Sequence, residues 1–528
     1  MKKNNITMLY LFLGFICFFG FFYCLGTYAL LDVDETRYVN MASEMFKSKN
    51  FLTLYLNGDY FFEKPPFFFW LECISFKLNG TVSELSARLP VVILSLLPAG
   101  LLLFLCRKVK SDKYAIVTTA TLFTSLEYMF LTKIAILDSI LTSFIVSSIL
   151  CYFYTFYVEE RNKKYFWLLT YIFSGFAVLA KGIPGVAIPM MIIIISSIVF
   201  KTYKEMLKYS WGIIVFLLIT LPWHIIMLKV YGSLFFDEYI IKHHILRFLG
   251  SDVIHRSQPW YFYIITLIWG LFPHIFVLLS KFAKIKNIRF NDKFLTLNLI
   301  AVMSILIFFS LSGAKLITYI LPIYPFISIL ISTIWVHYID SGDKAVHTSL
   351  ILLNSLFTVA AIGLLFIKLF MPFEIYFNFQ KVQSVALTII IPFVILIWIL
   401  LINKKKLATF LAIALLMSIL SGFITPYIYK FNYTFGQNDL MKYAEFAKNN
   451  KYTISAYLTG KKYSLLYYGN QSVIDFQTDE DLNWLRKELA KPNNIVITKN
   501  KNIDNIPYIK IKEKGVKYSI IEELENEK

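Results

Sequence analysis

Charged side chains stand close together at three places in an otherwise apolar sequence. The first is "DVDETRY" at 32–38, where Asp34 and Arg37 are three residues apart and would share one face of a helix. The second is "YFFEKPP" at 60–66, and the third is "KHHILRF" at 242–248. Guanidinium and ammonium groups bind phosphate through charge-assisted hydrogen bonds, and carboxylates make acid–base, metal or amine contacts. The three segments therefore suggest chemistry on a phosphorylated substrate.

The second and third segments each offer particular candidates. Glu63 and Lys64 precede a proline pair that suits the first turn of a helix, and a helix N-terminus beside a lysine favours anions. His244 and Arg247 share one helical face, and the forked guanidinium of Arg247 suits a phosphate. Taken singly, such residues also have simpler explanations: a helix cap with a surface ion pair, a lysine at a membrane surface, or a polar interface histidine.

Short turns add further charged residues to this set. They are Lys133 and Asp138 in "TKIAILDSI", Lys181 in "LAKGIPG", and Lys315 with Tyr319 in "SGAKLITYILP". Asp138 could equally cap the helix that follows it, and Lys315 could anchor the next one. If the turns face the three segments above, the basic residues could converge on one phosphate with the acids nearby.

The rest of the chain is typical of a membrane protein. Of its 528 residues 57% are hydrophobic and only 16% are charged, which soluble proteins of this length do not show. Apolar runs of about 15 to 23 residues, close to the length that crosses a bilayer, predict about thirteen transmembrane helices. These runs are 8–30, 89–106, 114–131, 136–157, 166–180, 183–200, 211–228, 261–279, 294–311, 316–337, 350–370, 385–401 and 407–429.

The distribution of charge sets the expected orientation. The formal net charge of +18 comes from alternate short loops such as "RKVKSDK" and "NKKK", a pattern of cytoplasmic loops rather than of a nucleic-acid binder. The long segments 31–87 and 230–260 and the C-terminal tail then lie on the opposite face. The five cysteines stand in or beside apolar segments without CxxC spacing, so no disulfide or cysteine metal framework is expected.

We therefore predict a polytopic α-helical membrane protein with interfacial helices and a small C-terminal α/β domain. The membrane domain covers 1–430, with outer-face catalytic segments at 31–87 and 230–260, and the α/β domain covers 431–528. The outer segment 31–87 is expected to contain two interfacial helices, at 38–45 and within 63–78. In the C-terminal domain the pattern predicts helices at 439–450 and 478–491 and strands at 452–458, 472–476, 494–500 and 517–524.

A phosphate at membrane level on the outer face is what a polyprenyl-phosphate sugar carries. The apolar helices would hold its isoprenoid tail, and the basic cluster would stabilise the leaving phosphate as the glycosyl bond breaks. A flippase of such lipids would also need basic residues, but a transporter places its charges at mid-membrane in broken helices. The charges here cluster at one face, which favours an inverting glycosyltransferase.

The motifs also match a family. "DVDETRY", "YFFEKPP", "SELSARLP", "LAKG", "HHILRF", "HRSQPWYFY" and "KLITYILP", in that order, resemble the bacterial aminoarabinose transferases that modify lipid A and confer polymyxin resistance. These belong to the GT-C membrane glycosyltransferases, which include protein O-mannosyltransferases. The resemblance covers roughly residues 5 to 430. It implies thirteen spans, an undecaprenyl-phosphate sugar donor, a lipid A phosphate acceptor, and an inner-membrane site facing the periplasm.

The resemblance also assigns roles to individual residues. Asp34 matches the key acid after the first span, and Asp138 an outer-loop acid near the sugar. A divalent ion such as zinc would be held by Glu63 and His244, whereas no nucleotide cofactor is expected. The donor-phosphate contacts would be Arg37, Lys64 and Arg247, and Tyr319 would lie near the mouth of the substrate cavity. The charge distribution described above adds Lys315 to the phosphate contacts, and Tyr60 and Phe61 are also predicted to line the substrate cavity.

One position departs from the family pattern, and two questions stay open. The family has tyrosine two residues before the glutamate of EKPP, whereas this chain has Phe61 with Tyr60 adjacent, so the role of that hydroxyl is in doubt. The acceptor could instead be a protein hydroxyl or another envelope glycan, in which case Asp34 would act as general base. Aminoarabinose, galactosamine and neutral hexoses all remain possible sugars, although several acids favour an amino sugar.

Overall fold

A helical membrane part is followed by a small C-terminal domain. The computed structural model of the protein describes residues 3–246, 258–281, 292–371, 373–470, 473–477 and 480–524. The helices of the membrane part are α1 (Lys3–Cys17), α2 (Asp34–Ser48), α3 (Phe67–Asn79), α4 (Glu84–Val109), α5 (Asp112–Phe123), α6 (Leu126–Leu131), α7 (Leu137–Tyr154), α8 (Glu160–Lys181), α9 (Pro184–Val199), α10 (Tyr203–Lys208), α11 (Gly212–Phe235), α12 (Phe262–Gly270), α13 (Ile275–Leu279), α14 (Lys293–Leu311), α15 (Tyr324–Ser341), α16 (Lys344–Phe366), α17 (Phe373–Ile402) and α18 (Lys406–Phe435).

Every predicted apolar run contains helix, but not every run forms one unbroken helix, and the first run is helical only as far as Phe22. Over the described residues, eight helices are long and apolar enough to cross a membrane. The predicted run 114–131 is divided between α5 and α6, and the run 261–279 is divided between α12 and α13. The chain is thus a multi-pass membrane protein, while the number of thirteen spans remains a prediction.

Helix α7 is the centre of the membrane part. All of its residues are buried, as expected for a helix that is apolar on every side. It packs against α4 and α8, and its first turn carries Asp138. Helix α8 runs back beside it and ends at Lys181. The start of α7 and the end of α8 therefore meet at the same face of the membrane part.

The first outer segment contains both predicted interfacial helices. Helix α2 has Asp34 and Glu35 in its first turn and Lys47 in its last turn, charges that favour its dipole. Helix α3 begins directly after Pro66. Between them the strands β1 (Tyr55–Leu56) and β2 (Asp59–Tyr60) form a hairpin. Its two-residue turn is Asn57–Gly58, and both residues have positive φ, as an Asn-Gly hairpin turn requires.

The C-terminal domain is the predicted small α/β unit. Its five-stranded mixed sheet has the order β4-β3-β5-β7-β6, with β3 parallel to β4 and β5, and β7 antiparallel to β5 and β6. Its elements are α19 (Gln437–Asn450), β3 (Thr453–Tyr457), α20 (Ser464–Gly469), β4 (Val473–Gln477), α21 (Leu482–Leu489), β5 (Asn494–Lys499), α22 (Asn500–Ile503), β6 (Ile509–Lys514) and β7 (Tyr518–Glu523).

The four predicted strands and two predicted helices of this domain are present, which confirms the predicted fold class. Strand β6 and the short helices α20 and α22 were not predicted. Strand β6 is an edge strand with mostly exposed side chains, and the alternation of isoleucine and lysine at its start is a strand signal that could have revealed it. The predicted boundary at 431 stays a prediction, since α18 continues to Phe435 and α19 starts at Gln437.

Candidate active site

A cavity of about 400 Å³ lies where α7 begins, α8 and α14 end, and α11 continues into a wider helical turn. Apolar side chains of α7, α9 and α14 form most of its wall. Its charged and polar lining includes Lys64, Asp138, Lys181, His243 and Tyr319. Three of the predicted site residues, Lys64, Asp138 and Tyr319, are thus brought to one cavity from separate parts of the chain.

Asp138 is paired with Lys181 inside this cavity. The Nζ of Lys181 contacts Oδ1 of Asp138, and the side chains are only 12% and 10% exposed. The same ammonium lies 4.4 Å from the ring centre of Tyr319. The sequence had marked Lys181 as a charged turn residue, but not as the partner of Asp138.

Asp34 and Arg37 form the predicted pair on the first turn of α2. Arg37 Nη2 donates to Asp34 Oδ1 at 2.6 Å and to the Tyr38 hydroxyl at 3.2 Å. Burial acts to lower the pKa of Arg37, but Tyr38, Asp34 and Glu63 outweigh it, so the pKa is raised and the guanidinium stays charged. Within the described part of the chain, Arg37 Nε is buried without a hydrogen-bond partner. That donor is suited to an anion.

The Tyr38 side chain lies beside the Asp34–Arg37 pair. Its ring is buried, and its hydroxyl accepts from Arg37. Burial raises the pKa of the phenol, and the charges of Asp34 and Asp138 raise it further while Arg37 lowers it. The two carboxylates thus act on one phenol, whereas Asp34 and Arg37 are not among the described residues that line the cavity.

Glu63 and Lys64 lie at the chain turn that precedes α3. Lys64 is buried and lines the cavity, and its Nζ donates to the Glu63 carbonyl at 2.9 Å. Glu63 Oε2 lies 3.8 Å from Nδ1 of His243. The other ring nitrogen, Nε2, is 3.2 Å from Glu238 Oε1. The structure thus places His243 beside Glu63, while the side chain of His244, the ligand predicted from the sequence, lies outside the described residues.

The remaining predicted site residues are Lys315, Phe61 and Tyr60, which the structure describes, and His244 and Arg247, whose side chains it does not. Lys315 is buried, its Nζ donates to the Ser312 carbonyl at 2.7 Å, and burial lowers its pKa. Among the lining residues that the structure describes, Ser312 is present but Lys315 is not. Phe61 is buried with its ring centre 6.0 Å from the Arg37 guanidinium carbon. Tyr60 is 54% exposed and stacks on Phe62. The side chain of His244 and all of Arg247 lie outside the described residues.

A second ion pair, which was not predicted from the sequence, joins α2 to α4. Arg88 of α4 makes a paired contact with Glu35, Nε to Oε1 at 2.7 Å and Nη2 to Oε2 at 2.8 Å, and both side chains are fully buried. Arg88 also donates to the carbonyls of Leu25, Tyr28 and Ala29. The signal was present, because an arginine inside an apolar stretch requires a buried acceptor.

The chain is similar in sequence to known sugar transferases. Residues 7–234 match the family model of dolichyl-phosphate-mannose-protein mannosyltransferases. Undecaprenyl phosphate-alpha-4-amino-4-deoxy-L-arabinose arabinosyl transferases are also similar. The one from Shewanella sediminis is 26% identical over 65% of this chain and 62% of its own. The one from Proteus mirabilis is 30% identical over 61% and 57%. The matched part therefore spans less than two thirds of the length of these relatives.

The solved structure of ArnT from Cupriavidus metallidurans bound to undecaprenyl phosphate superposes on nearly the whole molecule. The TM-score is 0.80 over 99% of this chain and 98% of that chain, at 19% sequence identity. The protein has the GT-C fold of the aminoarabinose transferases. The sequence resemblance ended near residue 430, whereas the GT-C structural match includes the C-terminal domain. The structural match therefore confirms the fold that the motif resemblance implied.

Proposed function

We propose that the protein is an inverting glycosyltransferase that moves 4-amino-4-deoxy-L-arabinose from undecaprenyl phosphate to a phosphate of lipid A. The observation that carries the proposal is the cavity, where an acid–lysine pair and a second lysine meet at the start of α7 and the end of α8. The names of the similar transferases support the donor and the sugar. The location is proposed to be the bacterial inner membrane, with the site and the C-terminal domain facing the periplasm, in line with the charge of the loops.

The proposed reaction is a single displacement at the anomeric carbon of the sugar. An oxygen of the acceptor phosphate forms the new bond while the bond to undecaprenyl phosphate breaks, and the electron pair leaves with that phosphate. Arg37 and Lys64 stabilise the charge that develops on the leaving group. The acceptor phosphate is already anionic at neutral pH, so the reaction needs no strong general base. Asp34 then orients the sugar or stabilises its positive charge.

Asp138 has a different role in this proposal. Its carboxylate lines the cavity and is held by Lys181, so it presents an acceptor to the sugar in a fixed position. An amino sugar carries a cation that a carboxylate can bind. The contact with Lys181 holds the Asp138 carboxylate in place at the cavity wall.

A divalent cation such as zinc is a further part of the proposal. Over the described residues there is no group of three or more His, Cys, Asp or Glu side chains placed for a metal ion, so the protein itself would supply two ligands. These would be Glu63 and His243. If Nε2 donates to Glu238, the lone pair of Nδ1 faces Glu63, an arrangement common for metal-binding histidines. When bound, the cation would neutralise charge on a phosphate.

The proposal is tested with the purified full-length protein in vesicles. Undecaprenyl-phosphate aminoarabinose and lipid A are supplied, and the lipid A product is measured by mass spectrometry. We expect aminoarabinose on lipid A with the wild type and loss of product with Asp138→Asn. The match to protein mannosyltransferases makes a protein acceptor the alternative. Modified protein with unchanged lipid A would overturn the lipid A assignment.

A further inference from the structure

The C-terminal domain contacts the outer segment that carries Asp34 and Arg37. The link is made at Ser464, the first residue of α20. Its backbone N–H donates to Asp32 Oδ1 at 2.9 Å, and its Oγ donates to Asp32 Oδ2 at 2.6 Å. Asp32 also accepts from Thr36 Oγ1 at 2.6 Å. One carboxylate therefore joins α20 of the C-terminal domain to the first turn of α2.

Neighbouring contacts fix the backbone on both sides of Asp32. Gln437 accepts from the Asp32 N–H at 3.2 Å and donates to the Leu30 carbonyl. The Leu30 N–H donates to the Tyr468 hydroxyl at 3.0 Å. These backbone groups precede a helix and have no helical partners of their own, so the C-terminal domain satisfies them. The chain that leads into α2 is held in place by side chains from another domain.

A third contact reaches α2 itself. The Asn40 side chain donates to the Tyr463 carbonyl at 2.9 Å. The Tyr463 phenol is buried, which raises its pKa, while the charges of Arg37 and Glu63 act on it in opposite directions. Tyr463 and Ser464 form one corner of the C-terminal domain, and this corner lies over the charged pair of α2.

We propose that the Tyr463–Ser464 corner of the C-terminal domain is a positioning element of the active site, which sets the first turn of α2 and so the places of Asp34 and Arg37. This inference rests on the proposed function, because it assigns those two residues to the donor. Asp34 is only two residues from Asp32, so a shift of Asp32 would also move the first turn of α2 and the Asp34 side chain on it. Displacements of about 1 Å can lower a rate about a hundredfold when a charged group must meet a transition state.

The chain offers a matched control for this idea. Ser455, in strand β3, also donates its hydroxyl to a carboxylate, Oε2 of Glu488, at 2.7 Å. That bond lies inside the C-terminal domain. Ser464→Ala and Ser455→Ala each remove a buried or half-buried hydroxyl–carboxylate bond. Only the first of these bonds joins the two domains, and the Ser464 N–H bond to Asp32 remains in the variant. Ser464→Thr retains the hydroxyl and serves as the conservative variant.

The test measures transfer rates and thermal midpoints of the full-length variants. We expect Ser464→Ala to lower kcat about tenfold, with Ser455→Ala within about twofold of the wild type and Ser464→Thr close to it. In an Asp34→Asn background, Ser464→Ala should lower the remaining rate less than about twofold, because residues that act through one another are not additive. Equal losses with both alanine variants, or full additivity with Asp34→Asn, would overturn the inference.

A second measurement separates this inference from the proposed function. Hydrogen exchange of the peptide covering 31–38 should become faster in Ser464→Ala and stay unchanged in Ser455→Ala. If the wild type makes no aminoarabinose-modified lipid A, the proposed function fails, yet the exchange result still decides whether the corner holds α2. Unchanged exchange in Ser464→Ala would overturn the positioning role whatever the substrate is.

Discussion

Asp138 and Lys181 form a nearly buried ion pair across the start of α7 and the end of α8. Removal of one member leaves an uncompensated charge, which costs about 3–5 kcal/mol in buried pairs. Lys181→Met should therefore lower both the thermal midpoint and the transfer rate. The double variant Asp138→Asn/Lys181→Met should regain stability but not activity, as measured by melting in detergent and by transfer assay. Recovery of activity in the double variant would show that the pair is only structural.

Arg37 is expected to bind the phosphate of the donor. Loss of a hydrogen bond to a charged group costs about 1.5–3 kcal/mol, so Arg37→Met should weaken binding of undecaprenyl phosphate about 10- to 150-fold. Arg37→Lys should recover only part of the affinity, because a lysine lacks the fork. Binding is measured by titration of the purified protein. Arg161→Met removes an arginine whose partner is Glu159, both largely exposed, and should leave affinity unchanged; an equal loss there would mean that net charge alone matters.

The buried Glu35–Arg88 pair is expected to be structural. Arg88→Met should destabilise the protein by at least about 3 kcal/mol. Adding Glu35→Gln should not restore stability, because three backbone carbonyls also lose their donor. Arg107→Met, in an exposed pair with Asp112, should change stability by no more than about 1 kcal/mol. Melting curves in detergent check this, and similar curves for the two arginine variants would contradict it.

The two adjacent histidines allow a sharp test of the metal proposal. Metal content measured by mass spectrometry should fall in His243→Gln and Glu63→Gln, and His244→Gln should retain it. This expectation follows from the position of His243 Nδ1 beside Glu63. The opposite result for the two histidines would restore the assignment made from sequence. Wild-type protein without bound metal would remove the cation from the proposal and leave the basic residues to hold the phosphate.

Glu72 on α3 should make stability depend on pH. It is fully buried, neither carboxylate oxygen has a hydrogen-bond partner in the described part of the chain, and burial raises its pKa well above the usual value. Because the folded pKa lies above the unfolded one, the folded state loses stability as pH rises above about 4.3. Glu72→Gln, which mimics the protonated acid, should raise the thermal midpoint at pH 8 by about 2 °C or more and have little effect at pH 5. Glu445→Gln, on an exposed site, is the control and should change neither value.

Much of the membrane architecture was predictable because its signals are local. A bilayer requires long apolar helices and places basic loops on one side, so single stretches of sequence indicate the spans without knowledge of their neighbours. The helices α2 and α3 were also predicted from local signals, the helical spacing of residues at 38–45 and the proline pair at 65–66. The same holds for the candidates Asp34, Arg37 and Asp138, which are unexpected charges at the ends of apolar runs.

The partners of these charges were less predictable. The prediction that grouped His244 with Arg247 lies outside the described side chains, but the described stretch before Arg247 continues α11 as a π-helical segment, Phe236–Leu246. Its hydrogen bonds join residues five apart, so the faces shift and His243 reaches both Glu63 and Glu238. A local sequence pattern cannot show such a shift, because the wider turn depends on how the segment packs.

The sequence by itself determined that this is a multi-pass membrane protein with a one-sided set of acids and bases, because hydropathy and charge act residue by residue. Only the tertiary structure decided which of these charges meet. Lys181 pairs with Asp138, Arg88 with Glu35, and Ser464 with Asp32. In each pair the partners are distant in sequence, and a low-dielectric site makes an unpaired charge too costly to leave alone. These contacts therefore depend on how the helices pack and on how the C-terminal domain docks against the membrane part.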